Sequence, residues 1–424
     1  MGKPDEFKIT FTNNKRVYYA GDMVTGNVIT KSRKKLKFRS IRMEFLGEAK
    51  VARANSKDWA TVQNYFDEKV EIYDKGTGQN GSYPTIEAGD HAFPFHFEIP
   101  QRRLPSSFEG KFGCIRYTLK ATMDRPWKSN YNSKCAITIL EVVDINESWA
   151  LEPVIRELEM HAQFMCFNRG SVVAQIKTDR RGYCPGEAIA ITGGFYNNTS
   201  LVTRPITVSL YQKTVYGQAS KKSEINKCVK VSKDKRLRPH EPVQWENQMF
   251  SLPAIPPTIN NCKFIKVSYS LEICVESRRG SLVISLPITV GTVPYRAPVI
   301  ASAPPMTSPV YPLPSAPPSD LAPPGYQVNL PSYSETMAMS QLGPPPAYAE
   351  CVLGSARIWD ANDAASGAVL GDTSFTPMYA FVSNYEFRPA TASAFTEEEI
   401  TVEREPRLDA VDDGLSDSMD EQSD

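Results

Sequence analysis

Two short runs carry the clearest recognition chemistry in this 424-residue chain: Pro323-Pro324-Gly325-Tyr326 and Pro345-Pro346-Ala347-Tyr348. Both follow the pattern PPxY. Paired prolines favour polyproline II, an extended left-handed helix with no internal hydrogen bonds, so little ordering entropy remains to be lost on binding. An aromatic-lined groove of the WW type grips such proline rings, and a tyrosine two residues on fills an adjacent pocket and fixes direction. As a flexible chain, the spacer between the copies spans about 25 Å. Two WW domains of one partner can then bind together, with an avidity gain of about a hundredfold.

The residue types that carry catalysis are present without the spacing it needs. His91, His96, His161 and His240 are scattered, and none lies beside a serine or cysteine in a nucleophile-elbow pattern. No glycine-rich loop follows a strand and opens a helix. The eight cysteines, Cys114, Cys135, Cys166, Cys184, Cys228, Cys262, Cys274 and Cys351, are never two or three positions apart, so metal-ligand spacing is missing. In a reducing compartment such cysteines serve as small buried apolar residues. No catalytic residue, metal or cofactor is expected.

From Phe7 to about Gly291 short alternating segments are broken by Gly, Asn and Pro turns. Phe7-Lys8-Ile9-Thr10-Phe11, Ile41-Arg42-Met43-Glu44-Phe45 and the run Ile265 to Ile273 all alternate. A period of two puts one face in a core and the other in water, and many such strands imply β-sandwiches. The segment from Glu147 to Glu159 breaks the pattern and reads as a link between two domains.

The two halves read as copies. Tyr18-Tyr19-Ala20-Gly21-Asp22 parallels Tyr183-Cys184-Pro185-Gly186-Glu187, each an aromatic strand end, a glycine turn and an acid. Ile115 to Lys120 parallels Val267 to Glu272, and Phe95-His96-Phe97-Glu98-Ile99-Pro100 parallels Phe250-Ser251-Leu252-Pro253. Matching features in the same order imply two sandwiches of one topology.

After Tyr295 the composition changes to Pro, Ser and Ala, and alternation stops. Such a segment cannot bury enough apolar surface to offset chain entropy, so it is expected to be largely disordered. From Glu397 it turns acidic, either as a solvated end or as a shield that folds back on a basic surface. Tyr333 sits in a degenerate copy lacking the second proline, and Tyr379-Ala380-Phe381-Val382 fits a tyrosine-based adaptor pattern of a kind that often arises by accident. The last lysine is Lys266, so a ligase docked on the tail would find its amines on the body or on a bound cargo.

These residues resemble the arrestin fold, and more closely the arrestin-domain-containing proteins called α-arrestins. The marks are Val17-Tyr18-Tyr19-Ala20-Gly21-Asp22-Met23-Val24-Thr25-Gly26, Phe93-Pro94-Phe95-His96-Phe97, Ser107-Phe108-Glu109-Gly110-Lys111-Phe112-Gly113 leading into Tyr117, and Val267-Ser268-Tyr269-Ser270-Leu271. The resemblance implies an all-β fold of two arrestin-like antiparallel β-sandwiches. Residues 5–150 and 165–294 would form them, with 151–164 as linker and 295–424 as a Pro-rich and acidic tail. It implies no enzymatic activity. It implies an adaptor that recruits WW-containing HECT-type ubiquitin ligases to membrane receptors or transporters, which are then ubiquitinated, internalised and sorted through endosomes. Pro314-Ser315-Ala316-Pro317 matches the late-domain motif PSAP, carried by one branch of the family as a dock for the endosomal sorting complex and equally common by chance in such sequence.

Cargo contact falls to the sandwiches. One basic cluster is Lys31, Arg33, Lys34, Lys35, Lys37 and Arg39; a second is Lys227, Lys230, Lys233, Lys235, Arg236 and Arg238. Each either meets anionic headgroups and acidic or phosphorylated receptor tails or is a solvated edge where lysines block sheet pairing. The net charge is zero, so nucleic acid is not an expected partner. With no signal-type or membrane-length apolar run, the expected location is the cytoplasm, with peripheral recruitment to the plasma membrane and endosomes. Two rivals remain: a redox regulator like the thioredoxin-interacting branch, although Glu241 to Met249 lacks its cysteine, and a retromer-like trafficking scaffold.

Overall fold

The computed structural model describes residues 4–52, 59–74, 83, 85–164, 167–217, 222–233, 235–278 and 280–296 of the body. In the tail it describes 347–352, 355–358, 363, 367–371 and 373–383. Nearly all of the regular structure is β.

The first sandwich pairs a three-stranded sheet with a larger one. The small sheet runs Glu6–Phe11, Met23–Ser32, Gly89–Glu98. The large sheet runs Val17–Tyr18, Asn130–Ile139, Gly113–Met123, Ser40–Ala52, Trp59–Asp74. The alternation seen in the sequence decides which face is buried: Phe93, Phe95 and Phe97 point inward while Pro94, His96 and Glu98 are exposed. Their rings meet the opposite sheet, with Phe97 at 5.4 Å from Phe45 and Phe93 at 5.1 Å from Tyr73.

The second sandwich repeats the plan. One sheet is Ile155–Phe164, Phe167–Thr178, Ala188–Asn197, Pro242–Ser251. The other is Gly182–Tyr183, Gly280–Val290, Ile265–Ser277, Thr207–Tyr216, Lys222–Ser232. In Ile265–Ser277 the residues Ile265, Val267, Tyr269, Leu271, Ile273 and Val275 are all buried, as a period of two requires.

The internal copies hold at the level of single hydrogen bonds. Val17–Tyr18 pairs in parallel with Thr138–Ile139, and Gly182–Tyr183 with Thr289–Val290. Each then turns at a glycine with positive φ, +85° at Gly21 and +89° at Gly186, a backbone region that side chains with a Cβ enter at a cost. The following acid closes the turn: the Tyr19 N–H donates to Asp22 Oδ2 at 3.1 Å, and the Cys184 N–H to Glu187 Oε2 at 3.0 Å. Farther on, buried Tyr117 donates its hydroxyl to the Pro105 carbonyl at 2.7 Å, and buried Tyr269 to the Pro256 carbonyl at 2.6 Å. A buried phenol needs such a partner, and both copies supply it from a proline-bearing loop just upstream.

One expectation is amended. Residues 151–164, read as a linker, contain the strand Ile155–Phe164, which pairs with Phe167–Thr178. It lies at the sheet edge with Ile155 to Glu159 exposed, so backbone bonds hold it and no alternation announces it. A single turn of helix, Ser148–Leu151, precedes it. The tail, expected to be largely disordered, contains described segments that form strands. Ala347–Glu350 pairs with Met378–Phe381, Ala356–Arg357 with Ser374–Phe375, and Gly367–Val369 lies parallel to Asn130–Asn132 on the large sheet of the first sandwich. These short strands find on the body the apolar partners that the tail itself lacks. Among the described residues no helix is long and apolar enough to cross a membrane.

Candidate functional site

Pro323, Pro324, Tyr326, Pro345, Pro346 and the Pro314-Ser315-Ala316-Pro317 run lie outside the described residues, as does Tyr333. Of the residues expected to meet a WW domain, Tyr348 is the one that lies among the described residues. It sits in Ala347–Glu350, opposite Ala380 of Met378–Phe381. Its ring is half-buried against a cluster of Val17, Leu140 and Tyr379, with Tyr19, Cys351 and Met378 alongside. Its hydroxyl lies 3.4 Å from that of Tyr19. Burial first, and then that contact, push the Tyr19 hydroxyl well above the ordinary tyrosine range, so it stays neutral at physiological pH.

The described tail segments are tied to the body at several points. Tyr379 is fully buried and donates its hydroxyl to the Ser107 carbonyl at 3.0 Å. Burying a side chain of this size stabilises by about 2–3 kcal/mol. The Met378 N–H donates to Thr138 Oγ1 at 3.1 Å. Ile358 and Phe375 pack on Ala136. Asp363, 4 % exposed, receives Lys120 Nζ at 3.0 Å and Lys134 Nζ at 2.8 Å. The other end crosses to the second sandwich, where the Val352 N–H donates to the Ala254 carbonyl at 3.0 Å and the Val382 N–H to the Pro185 carbonyl at 2.9 Å. The Gly186 turn accommodates this crossing: a Cβ there would stand 2.3 Å from the Val382 carbonyl oxygen.

Sequence reasoning missed Asp363, which lies in a weakly patterned stretch and finds its cations on strands more than two hundred positions away. It noted Tyr379 as an adaptor pattern, yet with Tyr379 buried that pattern is not presented in this arrangement.

The two basic clusters differ. In the first, Lys31 faces Glu6 at 3.3 Å and Asp90 at 3.7 Å, Lys35 meets Glu87 at 2.7 Å, Arg39 reaches Asp124 at 3.8 Å and Lys37 lies over the Tyr83 ring. Lys34 is exposed at the intervening turn. This is the pattern of a solvated strand edge with local neutralisation. In the second, Lys235, Arg236 and Arg238 line a surface depression of about 460 Å³ with Val202, Pro239 and Glu241, and Lys233 stands at its approach in the chain. Cys228, the candidate for redox chemistry, is half-buried, and burial pushes its thiol up to about 11. A thiol so protonated at neutral pH is a poor nucleophile.

Comparison with known families agrees with this geometry. Residues 7–146 match the family described as "Arrestin (or S-antigen), N-terminal domain", and residues 168–295 its C-terminal domain. Arrestin domain-containing protein 17 of Caenorhabditis elegans is 31% identical over 315 residues, covering 69% of this chain and 72% of that protein. The chain belongs to the α-arrestins, the arrestin-domain-containing family. This α-arrestin is also 28% identical over 331 residues to human arrestin domain-containing protein 1, covering 76% of this chain and 73% of the relative. Human arrestin domain-containing protein 4 is 27% identical over 307 residues, covering 69% and 73%. The family is one of non-enzymatic adaptors.

Proposed function

We propose that this α-arrestin is an adaptor that holds a membrane protein on its sandwiches and brings a WW-domain HECT-type ubiquitin ligase to it through Tyr326 and Tyr348. The observation that carries the reading is the pair of PPxY motifs, twenty-two positions apart, behind a two-sandwich body. The mechanism is proximity: ligase and cargo held on one chain act at a raised effective concentration, with no chemistry in the adaptor. Cargo ubiquitination, endocytosis and endosomal sorting would follow, with Pro314-Ser315-Ala316-Pro317 as a second handle for the sorting complex. Tyr326→Ala and Tyr348→Ala are each expected to weaken capture of a WW-containing ligase, and the double substitution nearly to abolish it, as avidity and both anchors are lost. A pulldown in which the double variant retains full binding rejects the reading.

Of the basic surfaces, the depression at Lys235, Arg236 and Arg238 is the better candidate for an anionic membrane face, because its cations gather around one concavity. Each cation near an anionic leaflet contributes about 1 kcal/mol. Lys235→Glu with Arg236→Glu is therefore expected to cut binding to phosphatidylserine vesicles by more than tenfold. Equal binding by the two proteins in a flotation assay removes this face from consideration.

A further inference from the structure

We infer that Tyr348 of the second recruitment motif is masked within the chain, and that a WW domain gains it only after the paired segments Ala347–Glu350 and Met378–Phe381 lift from the body. This rests on reading Pro345-Pro346-Ala347-Tyr348 as a WW ligand.

A WW groove must receive the tyrosine ring in a pocket of its own and read the flanking chain in a polyproline II form. Here Tyr348 lies in an antiparallel pair with Ala380 opposite, and its ring already fills a seat made by Val17, Leu140 and Tyr379. Its hydroxyl, which a partner would need to reach, is 3.4 Å from the Tyr19 hydroxyl. One ring cannot occupy both seats. Nor can Tyr348 swing out alone, because its strand is bonded to Met378–Phe381, whose Tyr379 is sunk in the first sandwich and tied to the Ser107 carbonyl. The next residues continue the attachment, with Val352 and Val382 bonded to Ala254 and Pro185 of the second sandwich. Release of Tyr348 therefore means release of the hairpin.

Two consequences follow. The affinity of a WW domain for this motif is reduced by the fraction of molecules in which the hairpin is open. By linkage, anything that takes the hairpin's place on the body strengthens ligase binding, and ligase binding frees that surface. The Tyr326 motif lies outside the described residues; ligase capture through Tyr348 would report whether this part of the tail is docked.

The test uses the full chain with Tyr326→Ala and Tyr333→Ala, which leaves Tyr348 as the PPxY-type tyrosine. Its affinity for a purified PPxY-binding WW domain is compared with that of a synthetic peptide of residues 341–352, which needs no fold. Masking requires the full chain to bind at least tenfold more weakly than the peptide. Two further substitutions then attack the seat from opposite sides: Tyr19→Ala on the body and Ala380→Glu in the hairpin. With the fold verified by circular dichroism and thermal melting, recovery to within about threefold of the peptide in at least one of them supports the proposal. Equal binding by full chain and peptide overturns it, as does weak binding that persists in both folded variants. A peptide that does not bind rejects the motif itself as a WW ligand, an outcome separate from failure of masking.

Discussion

Arg180→Ala is expected to lower the unfolding free energy of the body by about 3–5 kcal/mol, the usual cost of removing one partner from a buried ion pair. Arg180 is completely buried, with Nε 3.3 Å from Asp179 Oδ2 and Nη2 3.1 Å from Glu187 Oε2. Its guanidinium also lies over the rings of Tyr183 and Tyr295, at 4.6 and 4.5 Å. Alanine would leave two carboxylates in the interior without their cation. They would retain backbone donors, since Asp179 accepts from the Ala190 N–H and Glu187 from the Cys184 and Tyr295 N–H groups. Those donors do not neutralise charge. At about 2–4 °C per kcal/mol, the melting temperature should fall by roughly 10 °C. Arg180→Met combined with Asp179→Asn should recover part of the loss, because it removes one orphaned charge while Oδ1 keeps accepting from the Tyr183 hydroxyl and the Ala190 N–H. A shift below about 1 kcal/mol in the single variant would mean that water or a rearranged cation replaces Arg180, contrary to its placement.

The second large effect is local. Asp363→Lys should free the tail from the first sandwich while leaving the sandwiches folded. The aspartate sits between Lys120 and Lys134, whose side chains are 18% and 10% exposed, so reversal turns two short attractions into two repulsions in poorly solvated surroundings. Hydrogen exchange is the readout. The Leu370 amide, bonded to the Asn132 carbonyl at 2.8 Å, should lose protection by about a hundredfold or more, whereas amides of Gly113–Met123 should keep theirs. Unchanged protection at Leu370 would show that the apolar contacts of Ile358, Phe375 and Tyr379 suffice to hold the segment.

What the sequence disclosed depended on how local the signal was. The aromatic, glycine, acid turns at Tyr19 to Asp22 and Cys184 to Glu187 were legible because a turn's requirements lie within a few residues. The long strands were legible because one wet face and one dry face enforce alternation over ten or more positions. Ile155–Phe164 escaped because an edge strand held by main-chain bonds imposes little on its side chains. The tail strands escaped for two reasons. They are two to four residues long, too short for a period, and what stabilises them is supplied by Val17, Ser107, Ala136 and Thr138, far away in the chain. The PPxY motifs were found at once, being contiguous. That Tyr348 is seated against Tyr19 was out of reach, since nothing in Pro345-Pro346-Ala347-Tyr348 differs in kind from the copy at Tyr326.

The short run Gly367–Val369 has an effect beyond anchoring. By lying along Asn130–Asn132 it caps a margin of the large sheet where main-chain donors and acceptors would otherwise face outward. Bare margins of that sort invite another polypeptide to add itself on. A chain cut short ahead of Ala347 would lose this cover, and its copies would become adhesive toward one another. The tail thus doubles as a guard against self-association.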